Sequence, residues 1–365
     1  MTTIPLDEFS GDDVIFCIPI YNDWESARVL LSGIDSAVAT MNCTAVSVLF
    51  VDDGSADEEC LSSQSMPFEH LRQVEVLRLR RNVGHQRAIA IGLTYLHASR
   101  TCRRVCVMDG DGDDAPRDVP RLMAECERQG GQTIVFAARN RRSEGLIFRL
   151  FYRLFQVLHL LLTGRRVDVG NFSVIPSQLL GRLVGGAELW NHYAATVFKL
   201  RLPTSAIPID RGERFRGRSK MSFVSLVIHG LSAISVFSDV VGVRMLMLSA
   251  ATALLSAIGI AVVVAIRFFT ELAIPGWATT AAGLLLVVQL NSVLLSTVFV
   301  LAILQSRNSA SFLPLRDYEH YIMGIQMVFP VQQFPDGLSP RGFWGSERSE
   351  EGFARTMGLV RLALS

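Results

Sequence analysis

The sequence predicts an α/β protein: an open, mostly parallel sheet, amphipathic helices at a membrane interface and a C-terminal two-helix transmembrane hairpin. Three observations carry this. Short runs that are apolar throughout alternate with helical patterns over residues 1–220, as strands covered on both faces require. Two long segments further on contain no charge. Two acidic clusters directly follow strand-like runs, at the rim of a parallel sheet where ligands bind.

The strands are VIFCIPI (14–20), AVSVLFV (45–51), VEVLRL (74–79), RVCVMD (104–109) and TIVFAA (133–138), each short and rich in branched or aromatic residues. WESARVLLSGIDSAVATM (24–41) and HQRAIAIGLTYLHAS (85–99) have helical spacing between them. Met245–Ile266 runs for 22 residues without a charge and Trp277–Ser306 for thirty. About 20 such residues cross ~30 Å of hydrocarbon. Spans are therefore expected at about 245–266 and 278–304. Buried core helices are the alternative, and soluble cores rarely need thirty uncharged residues in a row.

SEGLIFRLFYRLFQVLHLLLTGRR (143–166) and SFVSLVIHGLSAISVFSDVVGVR (222–244) mix dense apolar residues with embedded cations or polar groups. Helices in the headgroup plane have this composition, and so do helices docked on a soluble core. The expected partition is a catalytic domain over 1–220, a juxtamembrane helix over 221–242, the hairpin over 243–306 and a tail over 307–365. MTTIPLDEFSGDD lacks the cationic and apolar regions of an export signal. Both hairpin ends are therefore expected in the cytoplasm, at an inner membrane. Arg244 and Arg307 flank the hairpin on that side, although Arg267 and Glu271 in the intervening loop make the bias slight.

A net charge of +1 over 365 residues gives no global basic field, so nucleic acid is not an expected partner. Half the residues are hydrophobic and mean hydropathy is +0.33, which suits membrane attachment. Six scattered cysteines, without CxxC or zinc-ligand spacing, suit free thiols in a reducing compartment.

The second strand ends in VDDGSAD, with Asp52, Asp53, Ser55 and Asp57; the fourth ends in DGDGDD. In an extended segment Asp109, Asp111 and Asp113 would share one side at intervals of about 6.6–7 Å. Like charges so close stay ionised readily only beside a cation. Mg²⁺ or Mn²⁺, completed by substrate phosphates, would supply it. A solvated Asx-turn explains either cluster alone, but two clusters at alternate strand ends favour a site. A dinucleotide fingerprint fits poorly, because Asp113 and Asp114 would repel a bare pyrophosphate.

PIYND (19–23), VDDGSAD (51–57), RNVGHQRAIAIGL (81–93) and MDGDGDDAP (108–116), in that order, resemble family 2 glycosyltransferases with the Rossmann-like GT-A fold. AAR (137–139), DVGNF (168–172), RFRGRSKMSF (214–223) and the two spans extend the likeness over about residues 12–306, towards the polyprenyl-phosphate glycosyltransferases. The resemblance implies a nucleotide-sugar donor bound by Pro19, Tyr21, Asn22, Asp23, Asp52, Asp53 and Ser55. Arg81, Asn82, Gly84, His85, Asp109 and Gly110 would approach the same nucleotide. It implies a metal held by Asp109, Asp111 and Asp113. Arg139, Arg214, Arg216, Ser219 and Lys220 would lie near the phosphate of a lipid acceptor, and Asp111, Arg139, Arg214 and Lys220 would carry the chemistry.

This chain departs from the family pattern at several places. Asp113 stands where the family usually has Gln, Asn171 where it has Asp, and Ser173 where it has Arg. The tail replaces a short Arg-Pro ending, and GGAELWNHYAATVFKLRLP (185–203) is a feature of this chain whose purpose the sequence does not reveal.

The expected reaction is inverting transfer of a sugar from a UDP- or GDP-sugar to a polyprenyl phosphate. A hydroxyl acceptor is the first alternative; it would need a base, for which Glu188 and Asp168 are the candidates. An inactive nucleotide-sugar-binding scaffold is the second, and the intact acidic motifs argue against it. A processive synthase is disfavoured because Q-x-x-R-W is missing. The RFRGRSK run suits either an acceptor phosphate or anionic lipid. Assembly with further copies of the chain is an open possibility.

Overall fold

The computed structural model describes residues 12–41, 43, 45–56, 68–139, 156–165, 169–210, 212, 215, 223–270, 276–308 and 313–329. Its elements are β1 (Asp12–Ile20), α1 (Trp24–Val38), β2 (Val46–Asp52), β3 (Gln73–Leu79), α2 (His85–Ser99), β4 (Cys102–Val107), α3 (Val119–Arg128) and β5 (Ile134–Arg139). A helical stretch α4 (156–163) follows. Then come β6 (Ser173–Pro176), α5 (Ser177–Val184), α6 (Tyr193–Lys199), β7 (Thr204–Ile209), α7 (Phe223–Ser235), α8 (Ser238–Phe269), α9 (Trp277–Asn308), α10 (Pro314–Asp317) and β8 (Ile322–Phe329).

Among the described residues the sheet has eight strands in the order β7-β5-β6-β4-β1-β2-β3-β8. β4, β1, β2 and β3 pair in parallel, as do β5 and β7; β6 and β8 run antiparallel to their neighbours. Every residue of β2 is buried, as a strand covered on both faces must be. One face packs under α2, α5 and α6, the other under α1 and α3. A Cβ on Gly92 would come within 2.6 Å of Val51 Cγ2 and 2.7 Å of Cys17 Sγ, so only glycine lets α2 lie this close to β1 and β2. That approach fixes where the N-terminus of α2 meets the sheet rim.

α8 and α9 are long and apolar enough to cross a membrane. Along α8 the buried residues Ser249, Ser256 and Val263 recur every seventh position, the seam of two packed helices. Ser249 Oγ lies 2.8 Å from Ser296 Oγ, and Ser256 Oγ donates to Leu285 O at 2.6 Å. Small hydroxyl residues let helices approach closely where lipid removes the hydrophobic drive between them. Leu254, Leu255, Leu290 and Leu294 point outwards and are exposed.

α4 and α7 each expose an apolar row: Val157, Leu158 and Leu161 on one, Val227, Ile228 and Leu231 on the other. Arg244 Nη1 donates to Leu161 O at 2.6 Å, so this flanking cation also closes the C-terminal end of α4. Lys199 Nζ donates to Val236 O at 2.8 Å and meets Asp239 at 3.2 Å, tying α6 to the start of α8.

The segment expected as a tail behaves differently. After α9 the chain returns to the sheet, and β8 pairs antiparallel with β3 from Val74↔Phe329 to Leu79↔Ile322. Residues 322–329 thus belong to the same sheet as residues 12–209, and the sheet does not end at residue 220 as expected. Tyr321 packs on Trp190 with ring centroids 5.0 Å apart, while Arg81 and Arg87 lie over Tyr321 and Trp190.

Candidate active site at the strand rim

Because β1, β2 and β4 are parallel, their C-terminal ends share one rim. α2 begins there because it follows β3. β6 also begins there, because an antiparallel strand starts where its neighbours finish. These connections gather Pro19–Asp23, Asp52–Ser55, Arg81–His85, Asp109–Asp114 and Asn171 from five separate parts of the sequence.

At the end of β2, Asp53 is 3 % exposed. Its Oδ1 accepts from Val83 N at 2.7 Å and its Oδ2 from Gly84 N at 2.9 Å, which holds the loop entering α2. Burial raises the Asp53 pKa, and the two backbone donors only partly offset it. Asp52 Oδ1 accepts from Ser55 N at 2.9 Å. Asn22, at φ 49°, donates its backbone N–H to Ser55 Oγ and accepts from Ala56 N through Oδ1. Pro19 sits inside β1 opposite Val51, Tyr21 is exposed at the rim and Asp23 precedes α1. Arg81 and Asn82 are exposed on the loop.

At the end of β4 the chain turns at Gly112, whose φ of 89° breaks the extended run. The regular spacing expected of Asp109, Asp111 and Asp113 therefore does not arise. Asp109 and Asp111 are half-buried, whereas Asp113 is 4 % exposed and Asp114 wholly buried. Asp114 Oδ2 accepts from Asp109 N at 2.8 Å, and Asp111 Oδ1 accepts from Asp113 N at 3.0 Å. Among the described residues, no three His, Cys, Asp or Glu side chains converge as a metal-ligand group. This corrects the expected triplet: Asp113 lies beneath the turn, leaving Asp109 and Asp111 as the accessible pair.

His85 Nε2, at the first turn of α2, lies 3.1 Å from Asp109 Oδ1. Partial desolvation lowers the His85 pKa, although its side chain is 44 % exposed, but Asp109, Asp114 and Asp111 outweigh it and leave the pKa raised. Gly110 keeps the turn close to β1, since a Cβ there would sit 3.3 Å from Pro19 O.

The acidic turn is braced from the far end of the domain. Gly212 N donates to Asp113 O at 3.0 Å and Phe215 N donates to Asp111 O at 3.2 Å. A Cβ on Gly212 would meet Gly112 O at 2.3 Å, so the two segments touch only because residue 212 is glycine. Arg139 closes β5. Arg214, Arg216, Ser219 and Lys220, expected near an acceptor phosphate, lie outside the described residues, as does Asp168.

Sequence reasoning missed Gln86, Tyr193 and Tyr321. Gln86 Oε1 accepts from Tyr193 N at 2.7 Å, and Gln86 Nε2 donates to Asn171 Oδ1 at 3.0 Å. Tyr193 OH lies 2.7 Å from Ser173 Oγ, and burial pushes this phenol's pKa up. The one available signal was the aromatic and polar content of residues 185–203. Glu188, a candidate base, is paired with Lys199 at 3.0 Å.

The sequence model of Glycosyl transferase family 2 matches residues 15–180. The undecaprenyl-phosphate 4-deoxy-4-formamido-L-arabinose transferase of Klebsiella pneumoniae subsp. pneumoniae is 28 % identical over 216 residues, which cover 58 % of this chain and 63 % of the relative. The protein of the same name from Enterobacter sp. is 27 % identical over 215 residues, with the same coverage of each. The match thus spans 63 % of the length of these relatives. Among solved structures, glucosyl-3-phosphoglycerate synthase from Mycobacterium tuberculosis is 16 % identical, with a TM-score of 0.43 over 62 % of this chain and 81 % of that one. A Pyrobaculum calidifontis mannosyltransferase in complex with GDP-Man and Mn²⁺ is 15 % identical, with a TM-score of 0.38 over 82 % and 89 %. The likeness to glycosyl transferase family 2 thus lies in residues 15–180, the part of the chain that holds β1 to β6 and the acidic turn.

Proposed function

We propose that this protein transfers a sugar, with inversion, from a UDP- or GDP-sugar to a polyprenyl phosphate at the cytoplasmic face of a membrane. The observation that carries the reading is the accessible carboxylate pair, Asp109 and Asp111, on a braced turn at the rim where α2 begins. The relatives' undecaprenyl-phosphate acceptor supports the lipid phosphate, and α8 and α9 support membrane attachment.

Two accessible oxygen ligands fit a Mg²⁺ or Mn²⁺ ion, which commonly takes one or two protein carboxylates and completes its shell with phosphates. Asp109 and Asp111 would hold it, and when bound it would neutralise charge growing on the departing nucleoside diphosphate. The rest falls to the chain. Asn22, Asp52 and Ser55 form a hydrogen-bonded edge against which nucleoside and ribose would lie. Asp53 keeps the 81–84 loop in place beside it.

A phosphate acceptor is already anionic at neutral pH and needs alignment rather than a base. Alignment alone contributes on the order of 7–11 kcal/mol. The run containing Arg214, Arg216 and Lys220 would supply it, and Gly212 just before the run and Phe215 within it are tied to the acidic turn. The ion pair between Glu188 and Lys199 weakens the hydroxyl-acceptor alternative, because it occupies one of its two candidate bases.

The test incubates the full chain, Mn²⁺ and labelled UDP- and GDP-sugars with undecaprenyl phosphate. A mild-acid-labile lipid product supports the glycosyl phosphate. An acid-stable product indicates a hydroxyl acceptor, and hydrolysis alone overturns the transfer.

A further inference from the structure

We propose that Gln86 is a positioning residue: it locks the amide of Asn171 so that the amino group faces the His85–Asp109 pair. The inference rests on the reading of Asp109 as a metal-holding carboxylate.

The lock follows from what each atom is able to do. An Asn or Gln side chain offers one accepting oxygen and one donating amino group, and shape alone does not tell them apart. Here a backbone N–H settles the matter. Tyr193 N can only donate, so the Gln86 atom 2.7 Å away is the acceptor Oε1. The other terminal atom of Gln86 is then Nε2, which donates to Asn171 at 3.0 Å, so that atom of Asn171 is Oδ1. Asn171 Nδ2 must then be the atom 3.0 Å from His85 Nε2 and 3.4 Å from Asp109 Oδ1.

Asn171 is also held from behind. Ser173 Oγ donates to Asn171 O at 2.8 Å, so Tyr193 OH, 2.7 Å from that oxygen, donates to Ser173. Tyr193 therefore grips Asn171 twice, through its amide by way of Gln86 and through its phenol by way of Ser173. This gives residues 185–203 a purpose. Ser173 leaves room for the Tyr193 hydroxyl, and Asn171 places a donor beside Asp109, where a carboxylate at 171 would place a second negative charge.

The full chain in detergent is titrated with Mn²⁺ in the presence of UDP, with GDP in a parallel arm, and binding is read by electron paramagnetic resonance. Four forms are compared: wild type, Gln86→Glu, Asn171→Ala and the double variant. In Gln86→Glu the introduced carboxylate still accepts from Tyr193 N but has no N–H for Asn171. Groups that orient a metal's ligands are typically worth 10–100-fold in affinity, so each single variant should bind Mn²⁺ about 10–100-fold more weakly. Because Gln86 acts through Asn171, the double variant should bind no worse than Asn171→Ala. If thermal melting shows Asn171→Ala unfolded, Asn171→Ser takes its place.

Wild-type affinity in Gln86→Glu overturns the proposal, and so does an equal loss in both backgrounds. Asp109→Asn separates the two levels. If it binds Mn²⁺ as tightly as wild type, or wild type binds none, the metal reading itself falls. If it binds weakly while Gln86→Glu is unaffected, only the positioning role is lost.

Discussion

The ends of β2 and β4 look alike in sequence and differ in use. Each is a buried strand running into adjacent aspartates and a glycine. At β2, both carboxylate oxygens of Asp53 accept buried backbone N–H groups, and the residue holds a loop. At β4 the acids divide the work. Asp114 is buried and caps the backbone of Asp109, which leaves Asp109 and Asp111 partly open to solvent. Asp53 is thus spent on backbone donors at both oxygens, whereas Asp109 Oδ1 meets side chains, those of His85 and Asn171. The glycine that follows decides which loop comes near enough.

The comparison breaks most sharply at Asp111→Asn, which should cost about 10²–10⁴-fold in metal-dependent kcat with an unchanged melting temperature. Asp53→Ala should do the reverse. It strands two backbone donors and should lower stability by about 2–4 kcal/mol in denaturant titration. If Asp53→Ala left stability untouched, the contrast between the two ends would fail. Gly92→Ala tests the support common to both ends: forcing α2 off Val51 and Cys17 should cost about 1–3 kcal/mol in the same titration.

A pH experiment has to remove His192 first. Burial, with His229 beside it, lowers the His192 pKa to about 3, against 6.5 ordinarily. Between those values the unfolded chain takes up a proton that the folded chain refuses. Stability therefore falls as pH drops below 6.5, by up to about 1.4 kcal/mol per pH unit. His192→Asn keeps a side chain able to cap α6 and should flatten that slope in melts from pH 7 to 4. Smallest of all, Tyr321→Ala removes the ring beneath Arg81. It should cost about 0.5–1.5 kcal/mol and raise the donor KM a few-fold with little change in kcat.

Five strands and both long helices were legible in the sequence, because a strand buried on both faces and a helix apolar on every side each leave an unbroken apolar run. β6 was not, since it has only four residues, SVIP. β7 alternates exposed and half-buried positions and contains Pro208, which blurs any pattern. β8 was hidden by its place after the hairpin, where nothing local points back to β3. The acidic turn was legible as chemistry but not as geometry, because the positive φ of Gly112 is invisible to a spacing rule. Gln86, Asn171 and Tyr193 act together over separations of 85 and 107 positions. A short-range signal does not carry that kind of agreement between amides.

The return of β8 to β3 constrains how the protein is made and placed. A strand joins only a sheet on its own side of a bilayer, so if α8 crosses, α9 must cross back, whichever membrane receives them. The edge of β3 stays open during synthesis until α8 and α9 have left the ribosome. For that interval the nascent domain has an unpaired border, which strand-like partners tend to seek. If both helices cross, the closure of that border by β8 moors the domain to the bilayer by two chain crossings rather than one.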